Sequence, residues 1–361
     1  LIAFGGLNNA SAQSRIWTTG GNLSFYERAQ GIGTNGTDDI DWLVLRSSWK
    51  YDQFILGTKD GSSDINLQIF NRSNTGGRWG QRNEISISTG SSGRQFDLAY
   101  EQLGGDALIV YENTTNSDQY IQYLTWNGTR YSLFSNITLI DASGGTFGRS
   151  SNRYVQLTPQ SKSDQIMLLI QNSTAQGGGL FAVAWDGTTF NMSTSMILTN
   201  FTTSNSDQHF AFAWEAQSGE GLVVYGVNGT PYDGAKIAMR TYSTINLWGN
   251  EQIIANVSRG GVVGARLCAD PESNYVGIMW QDYNATDGTN SQNVSMWNGT
   301  ELINVNNPLR DPFVESVGTG GVINFDCAWY NETSALFVFT DNSATSLDYF
   351  TFTKPGSWNT S

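Results

Sequence analysis

An aromatic residue followed by Asn-Gly or Asp-Gly and a threonine recurs along this chain at a nearly constant interval, and that recurrence limits the possible folds. The copies are Leu124-Thr125-Trp126-Asn127-Gly128-Thr129-Arg130-Tyr131, Ala184-Trp185-Asp186-Gly187-Thr188-Thr189-Phe190 and Met296-Trp297-Asn298-Gly299-Thr300-Glu301-Leu302. In each, an apolar-alternating run ends on a tryptophan and meets a polar-glycine pair, the pattern of a tight β-hairpin whose turn takes positive φ. Looser copies follow Trp17, Phe70, Tyr242 and Phe352. The seven anchors at 17, 70, 126, 185, 242, 297 and 352 are 53 to 59 residues apart. The chain is therefore an internal repeat.

Two further strand-like runs precede each hairpin after the first. The first strands are Trp42 to Arg46, Phe96 to Glu101, Tyr154 to Leu157, Phe210 to Trp214, Ala265 to Ala269 and Phe325 to Trp329. The second strands are Phe54 to Leu56, Ala107 to Tyr111, Ile166 to Ile170, Leu222 to Tyr225, Val276 to Trp280 and Leu336 to Phe339. No stretch carries the apolar spacing of an amphipathic helix, so helices should be essentially missing. Four short antiparallel strands per period, the second apolar on both faces, describe the blades of an all-β propeller. Six pairs of first and second strands give six blades, with seven as the alternative. Strand accounting leaves the last blade short of its fourth strand, which Leu23 to Gln30 would supply, closing the ring with both chain ends.

This strand pattern resembles the extracellular propellers of lectins and sialidase-like proteins, and especially the aromatic-Asn/Asp-Gly repeats of large microbial surface proteins, over residues 15 to 354. The resemblance implies a propeller in an extracellular setting and carries over no catalytic residues. The sialidase Asp-box, Ser-x-Asp-x-Gly-x-Thr-Trp, is absent, since Trp-Asn-Gly-Thr reverses its order of aromatic and glycine.

Charge excludes one class of partner. Lys and Arg total 19 against 32 Asp and Glu, a net charge of -13, so no electrostatic footprint for nucleic acid exists. The compartment follows from 17 Asn-x-Ser/Thr sequons, at Asn9, Asn22, Asn35, Asn71, Asn113, Asn127, Asn136, Asn172, Asn191, Asn200, Asn228, Asn256, Asn284, Asn293, Asn298, Asn331 and Asn359. Such density reads as an N-glycan acceptor surface and an extracellular, secreted or cell-surface protein. Turn chemistry alone also accumulates Asn, Ser and Thr, and stands as the alternative. Asn293, at the start of a third strand, is the expected exception to occupancy. Cys268 and Cys327, at the same point of adjacent first strands, are expected to form a disulfide.

Residues 1 to 13 fall outside the repeat. Leu1 to Leu7 is apolar and Ala10-Ser11-Ala12 has small-x-small spacing, so the segment reads as an N-terminal arm, a leader or an anchor remnant; residues 14 to 361 read as a single propeller domain. No apolar run is long enough to span a bilayer. As an arm, residues 1 to 13 could add to the sheet of a second copy and support self-association into a filament, sheath or surface layer.

Candidate chemistry is sparse. The single histidine, His209, allows no Ser-His-Asp arrangement and reads as an ordinary strand residue. Asp97, Glu101, Glu215, Asp270 and Asp326 lie on or just after first strands, where a propeller glycosidase would hold its acid and base; an acidic protein places carboxylates there in any case. Asp38, Asp39 and Asp41, Asp60 with Asp64, and Asp282 with Asp287 form oxygen-rich turns without the full EF-hand pattern, and no metal or cofactor is expected. Trp17, Trp126, Trp185 and Trp297 share one repeat position and should pack between blades, leaving Trp49, Trp248 and Trp358 as candidate sugar-stacking platforms. The leading reading is a non-enzymatic, glycosylated structural or adhesive surface protein. The alternatives are a carbohydrate-binding, lectin-like propeller and a glycoside hydrolase.

Overall fold

The computed structural model describes residues 2–5, 11–17, 25–33, 40–60, 64–71, 78–79, 83–85, 94–113, 120–137, 152–172, 179–198, 201, 208–227, 236–245, 247–256, 262–284, 289–303, 311–313, 325–340 and 347–360. Among them the backbone is all β apart from one 3-10 turn, Met192–Thr194. Two compact units divide the chain, 1–157 and 158–361, with the division inside strand Asn152–Pro159.

Six sets of strands follow one another in sequence. Set I is Ile40–Ser47, Gln53–Asp60 and Ile65–Asn71, with Arg78–Trp79 and Asn83–Ile85 both pairing with the third strand. Set II is Phe96–Tyr100, Ala107–Asn113, Tyr120–Trp126 and Ser135–Ile137. Set III is Asn152–Pro159, Ile166–Asn172, Leu180–Trp185 and Met196–Leu198. Set IV is Phe210–Trp214, Gly221–Val227 and Lys236–Ser243, the last flanked by Leu247–Trp248 and Gln252–Asn256. Set V is Val262–Ala269, Val276–Asn284 and Thr289–Trp297, the last flanked by Leu302–Ile303 and Asp311–Phe313. Set VI is Phe325–Trp329, Ser334–Thr340, Leu347–Thr353 and Ser357–Thr360.

Second strands in sets II to V are buried at nearly every position, whereas in set VI Leu336 and Val338 are half-buried. Ile166–Asn172 is buried at every position, as a continuous apolar run requires. In the first unit, Val44, Ile55 and Leu67 of set I share a core with Phe96, Ile109 and Trp126 of set II. In the second, Leu222, Val224 and Met239 of set IV pack against Ile278 and Trp297 of set V, and Met279 and Met296 of set V pack against Phe337 and Phe352 of set VI. Antiparallel four-stranded sheets stacked in this way are propeller blades.

One expectation about the chain ends needs correction. Set VI takes its fourth strand from Ser357–Thr360, paired in the register Phe352↔Trp358, and not from residues 23 to 30. The Trp358 ring lies 5.0 Å from Phe352 and 5.3 Å from Phe337, which gives this hairpin the cross-strand aromatic pair of its counterparts. Residues 23 to 30 overlap Phe25–Gly33, which pairs with Ser11–Trp17; that strand pairs in turn with Ile2–Gly5. The N-terminal strands thus find partners in their own chain, as a separate three-stranded sheet.

Candidate functional site

Three repeat hairpins share one turn geometry. Asn127 Oδ1 accepts from the Thr129 amide at 3.2 Å, the Thr129 hydroxyl at 2.9 Å and the Arg130 amide at 3.0 Å. Asn298 does the same toward Thr300 and Glu301, each at 2.9 Å, and Asp186 toward Thr188 and Thr189, each at 2.8 Å. The hairpins expected from Asn-Gly are present, and Trp126 pairs with Tyr131, Trp185 with Phe190 and Trp297 with Leu302, so four residues make each turn; φ is positive at the glycine alone, 87° at Gly128, 99° at Gly187 and 97° at Gly299. The side-chain carbonyl acts as an extra backbone acceptor, so the asparagine keeps an ordinary φ. At Asp186, burial pushes the carboxyl up, but the bonds from Thr189 and Thr188 outweigh it and hold its pKa below the usual range.

Asn331 and Asn191 repeat the arrangement elsewhere, accepting from Thr333 and Ser193 through Oδ1. In Asn127, Asn191, Asn298 and Asn331 the fold uses Oδ1, and Nδ2, the atom a glycan would occupy, has no hydrogen-bond partner among the described residues. Asn127, Asn136, Asn191, Asn331 and Asn359 are exposed, while Asn71, Asn113 and Asn298 are half-buried. Asn172 and Asn293 are buried, 5% and 2% exposed. Asn293 also donates through Nδ2 to Asp282 Oδ1 at 2.8 Å. Asn256 and Asn284 end strands Gln252–Asn256 and Val276–Asn284. Asn9, Asn22, Asn35, Asn200 and Asn228 lie outside the described residues.

The first-strand carboxylates are engaged one by one. Asp97, fully buried, pairs with Arg94 and with Arg46 at 3.5 Å, and accepts the Leu98 and Leu157 amides at 2.9 Å. Asp270, also fully buried, pairs with Lys354 and accepts the Glu272 amide and the Ser273 hydroxyl. Burial pushes its pKa up, but the bonds from Lys354, Ser273 and Glu272 prevail and leave it low. Glu215 accepts Trp297 Nε1 and the Ser218 hydroxyl, both at 2.6 Å, yet burial dominates and its pKa is raised. Glu101 is buried beside the turn that its amide closes on Asp106 O, and Asp326 is exposed. His209 is buried, its Nδ1 against Val262 O and its amide on Gln171 Oε1. Asp41 pairs with Lys59 and Asp282 binds Asn293, while Asp38, Asp39 and Asp287 lie outside the described residues. Among the described residues no three acidic, cysteine or histidine side chains converge on a metal position.

Indole N–H groups tie neighbouring sets together. Trp126 donates to Gln53 Oε1, Trp297 to Glu215, Trp214 to Thr158 O and Trp329 to Cys268 O. Of the three expected platforms, Trp49 is 62% exposed. Trp248 instead donates to Thr194 O and packs on Tyr242, and Trp358 packs on Phe337 and Phe352. Both belong to hairpin register, each across from its aromatic anchor, which the irregular spacing after Tyr242 and Phe352 concealed. The disulfide Cys268–Cys327 joins the first strands of sets V and VI, with Cα atoms 5.8 Å apart. No helix among the described residues is long and apolar enough to cross a membrane.

A polar cleft of about 270 Å³ opens in the second unit between the turns after the first strands of sets III and IV, and sequence reasoning did not mark it. Gln160, Lys162 and Gln165 form one wall, Glu215 and Ser218 the other, and Thr244 from the set IV hairpin reaches its edge. Gln160 Nε2 donates to Gly219 O at 2.6 Å, and Asn274 Oδ1 accepts the Gln217 and Ser218 amides, so the second wall is held from both sides.

No protein-family model matches this chain, and no curated protein does. Solved structures similar to it are β-propeller proteins. The Aleuria aurantia lectin, described as a six-bladed β-propeller with a novel fucose recognition mode, shares 14% identity over 86% of this chain and 90% of its own, with a TM-score of 0.39. A K499G mutant of the NanB sialidase from Streptococcus pneumoniae shares 9% identity over 87% and 67%, TM-score 0.44. The β-propeller domain of the Trilobed protease from Pyrococcus furiosus shares 10% over 89% and 83%, TM-score 0.42. At these identities and TM-scores the likeness carries no functional argument.

Proposed function

We propose that this chain is a secreted or cell-surface glycoprotein whose six strand sets close into one propeller, and that it serves as a structural or adhesive component rather than an enzyme. The observation that carries the reading is the division of labour within the turn asparagines. Oδ1 closes the turn while Nδ2 is left over, so a glycan can be attached without giving up a native hydrogen bond. The Cys268–Cys327 bond supports an oxidising compartment. Self-association belongs to the same proposal, since Ile2–Gly5 stands at one edge of its sheet order and an edge strand can add a neighbour. Glycopeptide mass spectrometry of the native protein tests the reading: glycans at Asn127, Asn191, Asn298 and Asn331 are expected, and an unmodified polypeptide would remove it.

A second reading, carbohydrate binding, is favoured by the polar cleft. Its walls carry amides, hydroxyls, one ammonium and the Glu215 carboxylate, groups that hydrogen-bond to a polyol. A glycan array probed with the purified protein tests it, and absence of signal counts against it.

A further inference from the structure

The fourth strand of set II carries one residue more than the strand it pairs with. Trp126 stands across from Tyr131 and Tyr123 across from Ser135, so Ser132, Leu133 and Phe134 together face only Leu124 and Thr125. This is a bulge on an edge strand, since Ser135–Ile137 lies at one end of its sheet order, and a bulge re-aims the side chains within it. Leu133 is 90% exposed and Phe134 63%. Adjacent apolar side chains at a sheet edge invite pairing with another chain, and natural proteins cover or charge such edges.

A concavity of about 470 Å³ opens beside the bulge, lined by Thr125, Asn127, Arg130, Tyr131, Ser132 and Leu133. Its size falls within the roughly 300–1,000 Å³ of small-ligand sites. Leu133 and the half-buried Tyr131, whose ring packs 4.6 Å from Trp126, supply apolar surface, and the exposed Arg130 supplies donors. The C–H faces of a sugar ring pack on apolar side chains, and its hydroxyls accept from a guanidinium. The occupant is identified by Asn127, a sequon residue that lines the same space. Three hydrogen bonds hold its Oδ1 on the turn, so the side chain keeps one orientation and a sugar on Nδ2 starts at the rim of the concavity.

We propose that the first sugar residue of an Asn127 glycan lies in this concavity, packs on Leu133 and Tyr131, and shields the set II edge strand from pairing with other chains. The proposal rests on the glycoprotein reading and gives a structural role to the glycan at this site. Leu133 is then exposed in the bare polypeptide and covered in the glycoprotein.

The test is a set of thermal melts on the full chain expressed in a glycosylating host, with occupancy at Asn127 read by glycopeptide mass spectrometry. The variants are Asn127→Asp, which keeps the turn oxygen that Asp186 supplies in its own copy, Leu133→Ser, and the two together. Each single variant should lower the melting temperature by about 2 °C, and the double variant should melt with the singles, because both changes remove the same contact. In protein made without glycosylation all four chains should melt together. Single variants that melt as wild type, additive losses, or a Leu133→Ser loss that persists without glycan overturn the cover while leaving the glycoprotein reading in place. So does coupling of Leu133→Ser to Asn136→Asp, the sequon across the bulge, in place of Asn127→Asp. A bare Asn127 also overturns the cover, and bare sequons throughout overturn the glycoprotein reading with it.

Discussion

Asn298 and Asp186 show what selects a residue at the repeat turn. Each places one side-chain oxygen on two amides and a hydroxyl, so the turn needs the oxygen and is indifferent to whether the other atom is nitrogen or oxygen. Asn298→Asp should therefore change stability by less than about 0.5 kcal/mol while removing any glycan, and Asn298→Ala should cost about 1 kcal/mol per lost net hydrogen bond. Chemical denaturation of the two variants checks both. The sequon and the turn share three residues, which is why sequence could mark the position but could not separate the two roles; the Asp186 copy separates them. Buried carboxylates give the pH dependence. Asp270 sits below its ordinary 3.8, so its contribution is present above that pH and is lost as pH falls through the lower folded value. Glu215 is raised above 4.5 and works oppositely: its contribution is full below 4.5 and is lost as pH rises through the folded value. Removing the Asp270 partner by Lys354→Met should cost about 3 kcal/mol and move acid unfolding to higher pH, as followed by tryptophan fluorescence.

At the scale of elements, the six first and second strands were legible because apolar runs of about five residues recur at one period, and each appears where the spacing put it. The fourth strands were harder. They are as short as two residues, as at Leu302–Ile303, and their signal is a single residue facing the anchor: Tyr131, Phe190, Trp248 or Trp358. Missing that pairing after Phe352 led the strand count to borrow from residues 23 to 30. The cleft was invisible for a related reason, since it joins turns some 55 residues apart whose residues are unremarkable singly. Close approach between sets makes another demand. A Cβ on Gly277 would stand 2.6 Å from Cys268 Sγ and 2.8 Å from the Phe337 ring, so Gly277→Ala should cost about 1–3 kcal/mol by overpacking. The adjacent disulfide closes a loop of 59 residues, for which chain entropy gives roughly 3–4 kcal/mol. Cys268→Ala with Cys327→Ala should lose that much in urea unfolding, and the unreduced wild type should show no free thiol.

On the scale of the whole molecule, repetition accounts for the fold and for the ties between neighbouring sets. Asp97, Asp270 and Trp297 are spent on ties to neighbouring sets, through Arg46, Lys354 and Glu215. Exposed turns carry sequons, as at Asn127, Asn191 and Asn331. If the N-terminal edge strand joins copies, a chain beginning at Gln13 should sediment as a monomer with an unchanged melting temperature; assembly equal to that of the full chain would exclude that edge as the linker. The proposal that the turns present glycans is tested most directly by site-by-site occupancy from glycopeptide mass spectrometry of protein isolated from its native source. The account predicts high occupancy at Asn127, Asn191, Asn298 and Asn331, where Nδ2 is free, and none at Asn293, where Nδ2 is bound to Asp282. Glycan at Asn293 with bare turns, or no glycan anywhere, would contradict it.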